Sequence, residues 1–140
     1  MNALSVLFKY FESATTVSPE VNPIPELIAS GDKEIRLRLA ENQTLAPTYL
    51  ADLANDESPE VRIAITDNPN TPMPILELLA ADDHPDVRYA LAENANVPQH
   101  ILKMLSRDEN PYVSDRATTT LSRLQELLPQ PLRISLIRCA

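Results

Sequence analysis

Carboxylate side chains recur at a fixed spacing along this chain and are its clearest candidates for chemistry. They form three pairs whose members lie seven residues apart, and the six acids are Glu34, Glu41, Glu60, Asp67, Asp86 and Glu93. Seven residues bring a helix back to within ~20° of its starting direction, so both members of a pair share one helix face. With helices stacked ~8–10 Å apart, the six acids would form a continuous surface, which we call the acidic ribbon.

An acidic surface of this kind suits the recognition of a basic segment in another protein. The alternative interpretation is that the first acid of each pair complements a helix dipole and the second is solvated surface. A second candidate surface consists of Met73 and Tyr89, because methionine and aromatic side chains are enriched at interface cores. Residues at such spacings also commonly belong to the core.

Side chains typical of catalytic or metal centres are few. His84 precedes Pro85 and is expected to cap a helix, His100 has no histidine or carboxylate at metal-ligand spacing, and Cys139 is one residue from the last position. Close carboxylate pairs are unavoidable when twenty acids lie on a helical array, so they do not indicate acid–base catalysis. We predict a protein that is not an enzyme and has no catalytic residue, cofactor or metal.

The elements that carry the ribbon come from an internal repeat, in which a shift that places Ile35 on Val61 aligns the chain with itself without gaps. Four copies are visible, because apolar, arginine and asparagine positions all recur in the same register. The columns include Ile35, Val61, Val87 and Val113; Ile24, Leu50, Leu76 and Leu102; Leu27, Leu53, Leu79 and Leu105; Leu39, Ile65 and Leu91; Arg36, Arg62 and Arg88; and Asn42, Asn68 and Asn94.

Each repeat is predicted to contain two short helices. In the second copy Ser58 and Pro59 suit a helix N-terminus, Asn68 before Pro69 ends that helix, and Pro72 starts the next one. Such short helices are stable only when they stack on neighbours. The sequence therefore predicts an all-α solenoid.

The arginine and asparagine columns are predicted to be structural. Asp56 precedes Arg62 by six residues, and Asp82 precedes Arg88 by the same number, which favours paired charges between repeats over an anion-binding site. Asn42, Asn68 and Asn94 lie where helices end, so we expect them to tolerate left-handed backbone and to supply turn hydrogen bonds.

The ends of the chain depart from the repeat. We predict a capping helix and linker over 1–23, with Phe8 and Phe11 on one apolar face, and a four-repeat solenoid over 24–128. The fourth copy loses its internal prolines, and an apolar stripe predicts one long helix from about 112 to 128. Residues 129–140 form a tail with no assigned structure.

Composition narrows the possible classes. The chain has 140 residues with one glycine and 13 prolines, which excludes glycine-dependent hairpin folds, Rossmann phosphate loops and P-loops. The formal charge of −8 opposes binding to nucleic acid. A single cysteine and the absence of a leader or membrane-spanning pattern make the cytoplasm the expected compartment.

The segments DESPEVRIAITDNPNTPMPILELLA and DDHPDVRYALAENANVPQHILKMLS resemble the leucine-rich repeat variant family. The similarity covers about residues 24–127 and implies a right-handed superhelix of short helices. The aspartate–arginine spacing is also similar to HEAT repeats, where such residues form a ladder between units. A founding member of the variant family carries a cysteine-ligated iron–sulfur cluster before its repeats; this chain has no cysteine there, so the cluster is not expected.

The sequence favours a non-enzymatic interaction module, a short right-handed α-solenoid of about four repeats with helical caps that presents an acidic face to another protein. One alternative is a HEAT-like nucleic-acid binder that uses a basic patch of Arg38, Lys103, Arg107, Arg116 and Arg123. Another is an obligate oligomer that associates through Phe8 and Phe11. No membrane partner is expected.

Overall fold

A computed structural model describes residues 22–127, and this part of the chain contains helices and turns but no strand. The predicted all-α class is therefore confirmed for these residues. The predictions for the capping helix, for Phe8 and Phe11 and for the 129–140 tail lie outside the described residues. The described residues divide into two compact units, a first unit that ends at Ile75 and a second unit that begins at Leu76.

The described part of the first unit, from residue 22 on, contains four complete helices: α1 (Ile24–Ile28), α2 (Lys33–Glu41), α3 (Pro47–Leu53) and α4 (Pro59–Asp67). Helix α5 (Met73–Leu79) crosses the boundary between the units. Within the first unit α2 packs against α4, and α3 contacts both of them. These lengths agree with the predicted pairs of short helices.

The second unit contains α6 (Pro85–Glu93), α7 (Gln99–Leu105) and α8 (Pro111–Glu126). Helix α8 packs against both α6 and α7. Its 16 residues confirm the prediction of one long final helix, which ends at Glu126 rather than near residue 128. Proline occupies the start of α4, α6 and α8, where its missing N–H removes no helical hydrogen bond.

The predicted apolar columns form the core. Ile35, Val61, Val87 and Val113 are at most 1% exposed, and the Leu39 and Leu53 columns are buried throughout. In the Leu50 column the exception is Leu76, which is half-buried. On α8 the predicted stripe is buried at Val113 and Ala117, whereas Leu121 and Leu124 are only half-buried.

The helix ends correct one prediction about the asparagine column. Asn42, Asn68 and Asn94 all have extended backbone, with φ between −72° and −77°, and no described residue has a positive φ. The expected left-handed conformation is therefore wrong. Pro69 restricts Asn68 to extended backbone. Each asparagine Oδ1 accepts the N–H two residues later, which forms the turn without a left-handed residue.

Candidate functional site

The arginine column forms buried ion pairs within each unit. Arg36 donates from Nε to Asp56 at 2.6 Å, and Arg88 donates from Nε to Asp108 at 2.7 Å. Both arginines donate a second bond from Nη2 to the other oxygen of the same carboxylate. The side chains of all four residues are at most 11% exposed. This bidentate geometry gives the two arginines a structural role and joins consecutive sequence repeats.

The identity of the acid corrects the sequence interpretation. Arg36 and Arg88 each pair with the aspartate 20 residues later in the chain, and for Arg88 this is not the aspartate six residues earlier. The residue six positions before the arginine contributes its backbone carbonyl instead. For example, Arg62 Nη1 donates to Asp56 O at 2.6 Å. Arg88 donates to Asp82 O in the same way. An arginine side chain is long enough to reach the following repeat, and a six-residue spacing on one chain does not reveal that reach.

These ion pairs shift the pKa values of Arg36, Arg88 and Asp108. The Asp108 carboxylate, through its hydrogen bonds, raises the pKa of Arg88 above its ordinary value, and Asp56 does the same to the pKa of Arg36. Reciprocally, the hydrogen bonds from Arg88 lower the pKa of Asp108, against the opposing effect of burial. Both charges of the Arg88–Asp108 pair therefore persist at neutral pH.

The asparagine column connects helix ends. Asn68 donates from Nδ2 to the carbonyls of Ala40 and Asn42 at 2.8 and 3.0 Å. In the second unit Thr120 occupies the corresponding column and donates from Oγ1 to Ala92 O at 2.7 Å. Both side chains are buried, so each satisfies a carbonyl that water does not reach.

The acids of the ribbon differ in their surroundings. All six are exposed, but Glu60 is 3.5 Å from Lys33 Nζ and accepts a hydrogen bond from Ser58 Oγ at 2.5 Å. The Ser58 hydroxyl is the main cause that lowers the pKa of Glu60 from 4.5 to about 2. Asp86 lies 3.8 Å from His84 Nδ1, which accepts from the Asp86 N–H as the predicted cap. Of these two acids, Glu60 is thus partly neutralised by the Lys33 cation, whereas His84 acts on Asp86 as a helix cap.

An open groove lies between α2 and α4 in the first unit. Its volume is about 410 Å³, and Leu37, Ile63 and Ala64 line it together with Asn68 and Gln43. Three ribbon acids also line it, namely Glu41, Glu60 and Asp67. We call this the Glu41 groove. An apolar lining beside carboxylates matches the two parts of a long basic side chain, an aliphatic stem and a cationic head.

The second unit carries a different arrangement between α6 and α8. Arg116 donates from Nη2 to Glu93, and its guanidinium carbon lies 5.6 Å from the centre of the Tyr89 ring. Arg116 Nε is buried without a hydrogen-bond partner among the described residues. The guanidinium is therefore held by one carboxylate and one aromatic face, a combination that favours arginine.

The other predicted residues lie at separate places in the two units. Glu34 is exposed on α2, Met73 is 43% exposed at the start of α5, and Tyr89 is half-buried beneath Arg116. Four members of the proposed basic patch are exposed, whereas Arg116 is half-buried in its ion pair; the exposed members are Arg38, Lys103, Arg107 and Arg123. Arg38 belongs to the first unit and the rest of that patch to the second.

Two features of this surface were not predicted from the sequence: the cluster of Tyr89, Glu93 and Arg116, and the apolar lining of the Glu41 groove. A signal for both was present in one column of the repeat. That column reads Arg38, Ala64, Ala90 and Arg116, so large cations and the smallest apolar side chain share one helical position.

Two further observations bear on the site. Within residues 22–127, His, Cys, Asp and Glu side chains form no group of three suited to a metal ion. None of the helices in that range is both apolar enough and long enough to cross a bilayer.

No protein-family model, curated protein or solved structure matches the chain.

Proposed function

We propose that this protein is a non-enzymatic interaction module that binds a basic segment of another protein through the acidic ribbon. We further propose that its helices form a short right-handed α-solenoid of four repeats over residues 24–128, related to leucine-rich repeat variant and HEAT-like proteins. The regular recurrence of helix starts at Lys33, Pro59, Pro85 and Pro111 supports this architecture. Its proposed compartment is the cytoplasm, because its single cysteine needs no oxidising environment.

The observation that carries the proposal is the Glu41 groove. Glu41, Glu60 and Asp67 surround a concave, partly apolar surface, and Lys33 contacts one of these acids, Glu60, from the side. The formal charge of −8 adds long-range attraction for a basic partner. Concavity, apolar surface and one sign of charge together favour a binding surface over solvated helix ends.

The test compares the native chain with two charge-reversal variants in a selection from a random peptide library. The ribbon variant carries Glu34→Lys and Glu41→Lys. The matched control carries Glu26→Lys and Asp52→Lys, which change the net charge by the same amount. Glu26 is exposed in the first turn of α1, and Asp52 is exposed in the last turn of α3. Circular dichroism first establishes that all three chains are equally helical.

We expect the native chain and the control to enrich peptides rich in arginine and lysine, and the ribbon variant to lose that enrichment. Enrichment of acidic or purely apolar peptides, or equal enrichment by all three chains, would contradict the proposed function. Salt-sensitive binding of DNA by the native chain, lost on replacing Lys103 and Arg107, would favour the nucleic-acid alternative. A mass that rises with concentration would favour the oligomer.

A further inference from the structure

Three positions of the repeat occur in both units, but their side chains are arranged differently in each unit. A shift of two repeats places Leu37 on Tyr89, Glu41 on Glu93 and Ala64 on Arg116. In the second unit the Arg116 side chain lies over Tyr89 and binds Glu93. In the first unit the corresponding residues line an open groove.

The difference has a simple steric cause. Ala64 has no side-chain atom beyond Cβ, so nothing from this position on α4 extends over Leu37 towards Glu41 as Arg116 extends from α8 in the second unit. The space left open is about 410 Å³. This volume is within the range typical of small-ligand sites, roughly 300 to roughly 1000 Å³. The groove therefore keeps the carboxylate of the second-unit arrangement, has the apolar Leu37 in place of the Tyr89 ring, and lacks the arginine.

We propose that the Glu41 groove binds the side chain of an arginine from a partner protein. The aliphatic stem packs on Leu37 and Ile63, and the guanidinium donates to Glu41 in the way that Arg116 donates to Glu93. Two further acids of the lining, Asp67 and Glu60, add negative charge at the groove. This inference rests on the proposed function and narrows it from a basic segment to one residue type.

Arginine is favoured over lysine by the chemistry of the site. A guanidinium presents a flat fork of donors that matches a carboxylate, and it is more weakly hydrated than an ammonium group. Its dehydration therefore costs less when the stem packs on Leu37 and Ile63 and the guanidinium donates to Glu41. The second unit supplies the internal precedent, since the residue it uses at this position is arginine and not lysine.

The test is a titration of the ¹⁵N-labelled chain with capped Gly-Gly-Arg-Gly-Gly, followed by NMR. Matched peptides carry citrulline, which has the same shape without the charge, or lysine. We expect chemical-shift changes at the amides of Leu37, Glu41, Ile63 and Ala64 with the arginine peptide, weaker changes with lysine and none with citrulline. Equal changes with citrulline, or no changes at these amides with arginine, would overturn the inference.

Three variants locate the site. Glu41→Gln should weaken binding about tenfold, because the acceptor becomes a neutral amide and the attraction between opposite charges is lost, while the guanidinium stays charged. Ala64→Arg should fill the groove with the protein's own arginine and abolish the shifts. Arg116→Ala should leave the first site unchanged and create new shifts at Tyr89 and Glu93. Retained binding in Ala64→Arg would contradict the proposal, and unchanged helical circular dichroism excludes misfolding as the cause of a loss.

The outcome of this titration is separable from that of the peptide selection. If Ala64→Arg still enriches basic peptides while the ribbon variant does not, the interaction module stands and the arginine groove fails. If the arginine pentapeptide binds the groove but the native chain enriches no basic peptides, the groove stands and the proposed function fails.

Discussion

The first and second units use the same frame of buried polar contacts but differ in one exposed groove. Arg36–Asp56 in the first unit and Arg88–Asp108 in the second have nearly identical geometry. Between α2 and α4 the groove beside Glu41 is open, whereas between α6 and α8 the side chain of Arg116 covers Tyr89 and binds Glu93. The frame is thus insensitive to what happens on this face.

This difference shows that the buried frame and the exposed groove are carried by separate columns of the repeat. The apolar columns, together with Arg36, Arg88 and Asn68, supply buried side chains that fix the helices. The column of Ala64 and Arg116 faces the groove, and exchanging its residue changes the surface without touching a buried ion pair. The exposed surface can therefore differ from one sequence repeat to the next while the buried frame stays the same.

The largest effect is expected from breaking the shared frame. Asp56→Ala and Asp108→Ala each remove the buried bidentate carboxylate from a guanidinium, and each also removes an acceptor for a backbone N–H, that of Ser58 or Asn110. Each substitution should lower the free energy of unfolding by about 3–5 kcal/mol. Urea unfolding followed by circular dichroism measures this.

Asp52 is exposed, so Asp52→Ala is the control for that experiment. This substitution should change the free energy of unfolding by only about 0.5 kcal/mol or less. Similar losses for Asp56→Ala and Asp108→Ala support a common frame. A large loss for Asp108→Ala beside a loss below about 1 kcal/mol for Asp56→Ala would show that the two ion pairs are not equivalent.

A smaller effect is expected where the units satisfy the same carbonyl with different residues. Asn68 donates two hydrogen bonds, to Ala40 O and Asn42 O, whereas Thr120 donates one, to Ala92 O. Asn68→Ala should therefore cost about 2–3 kcal/mol. Thr120→Val should cost about 1 kcal/mol. The same urea experiment measures both.

Thr120→Ser keeps the hydroxyl donor and serves as the control for the second substitution. If Thr120→Ser destabilises the chain more than Thr120→Val, the methyl group and not the hydrogen bond is the main contribution of this residue. The difference in stability between the Asn68 and Thr120 substitutions would then reflect packing of the methyl group and not the number of hydrogen bonds to carbonyls.

Periodicity made much of this frame predictable. The repeat columns identified the buried faces, the loss of prolines in the fourth copy indicated the long α8, and Pro85 indicated the cap formed by His84. These features depend on local spacing and backbone chemistry. Both can be read from the amino-acid sequence alone.

Contacts that cross between repeats were not predictable in the same way. The partner of Arg88 is Asp108 because a long side chain reaches the next copy, and spacing within one copy pointed instead to the preceding aspartate. The Glu41 groove depends on where the side chains of Leu37 and Ile63 lie, and on the small size of the side chain at Ala64. Such complementarity requires the packed helices.

The smallest effect on stability concerns Glu60, an acid that the first-unit groove has and the second unit lacks, since Tyr112 occupies the corresponding position. The pKa of Glu60 is lowered to about 2 mainly by the Ser58 hydroxyl, with a lesser contribution from Lys33. A lowered pKa means that the ionised form stabilises the folded chain above the ordinary value of 4.5, and that this stabilisation disappears as the pH falls towards about 2.

The Glu60 pKa can be followed by NMR of its side-chain carboxyl carbon. Ser58→Ala should raise this pKa towards 4.5, and Lys33→Ala should raise it less, because the hydroxyl bond is the larger cause. The opposite order would mean that the Lys33 charge, and not the Ser58 hydroxyl, keeps Glu60 ionised. In that case a basic partner that displaced Lys33 would change the protonation of Glu60. If the Ser58 hydroxyl is the larger cause, Glu60 keeps its negative charge whether or not a basic partner is bound.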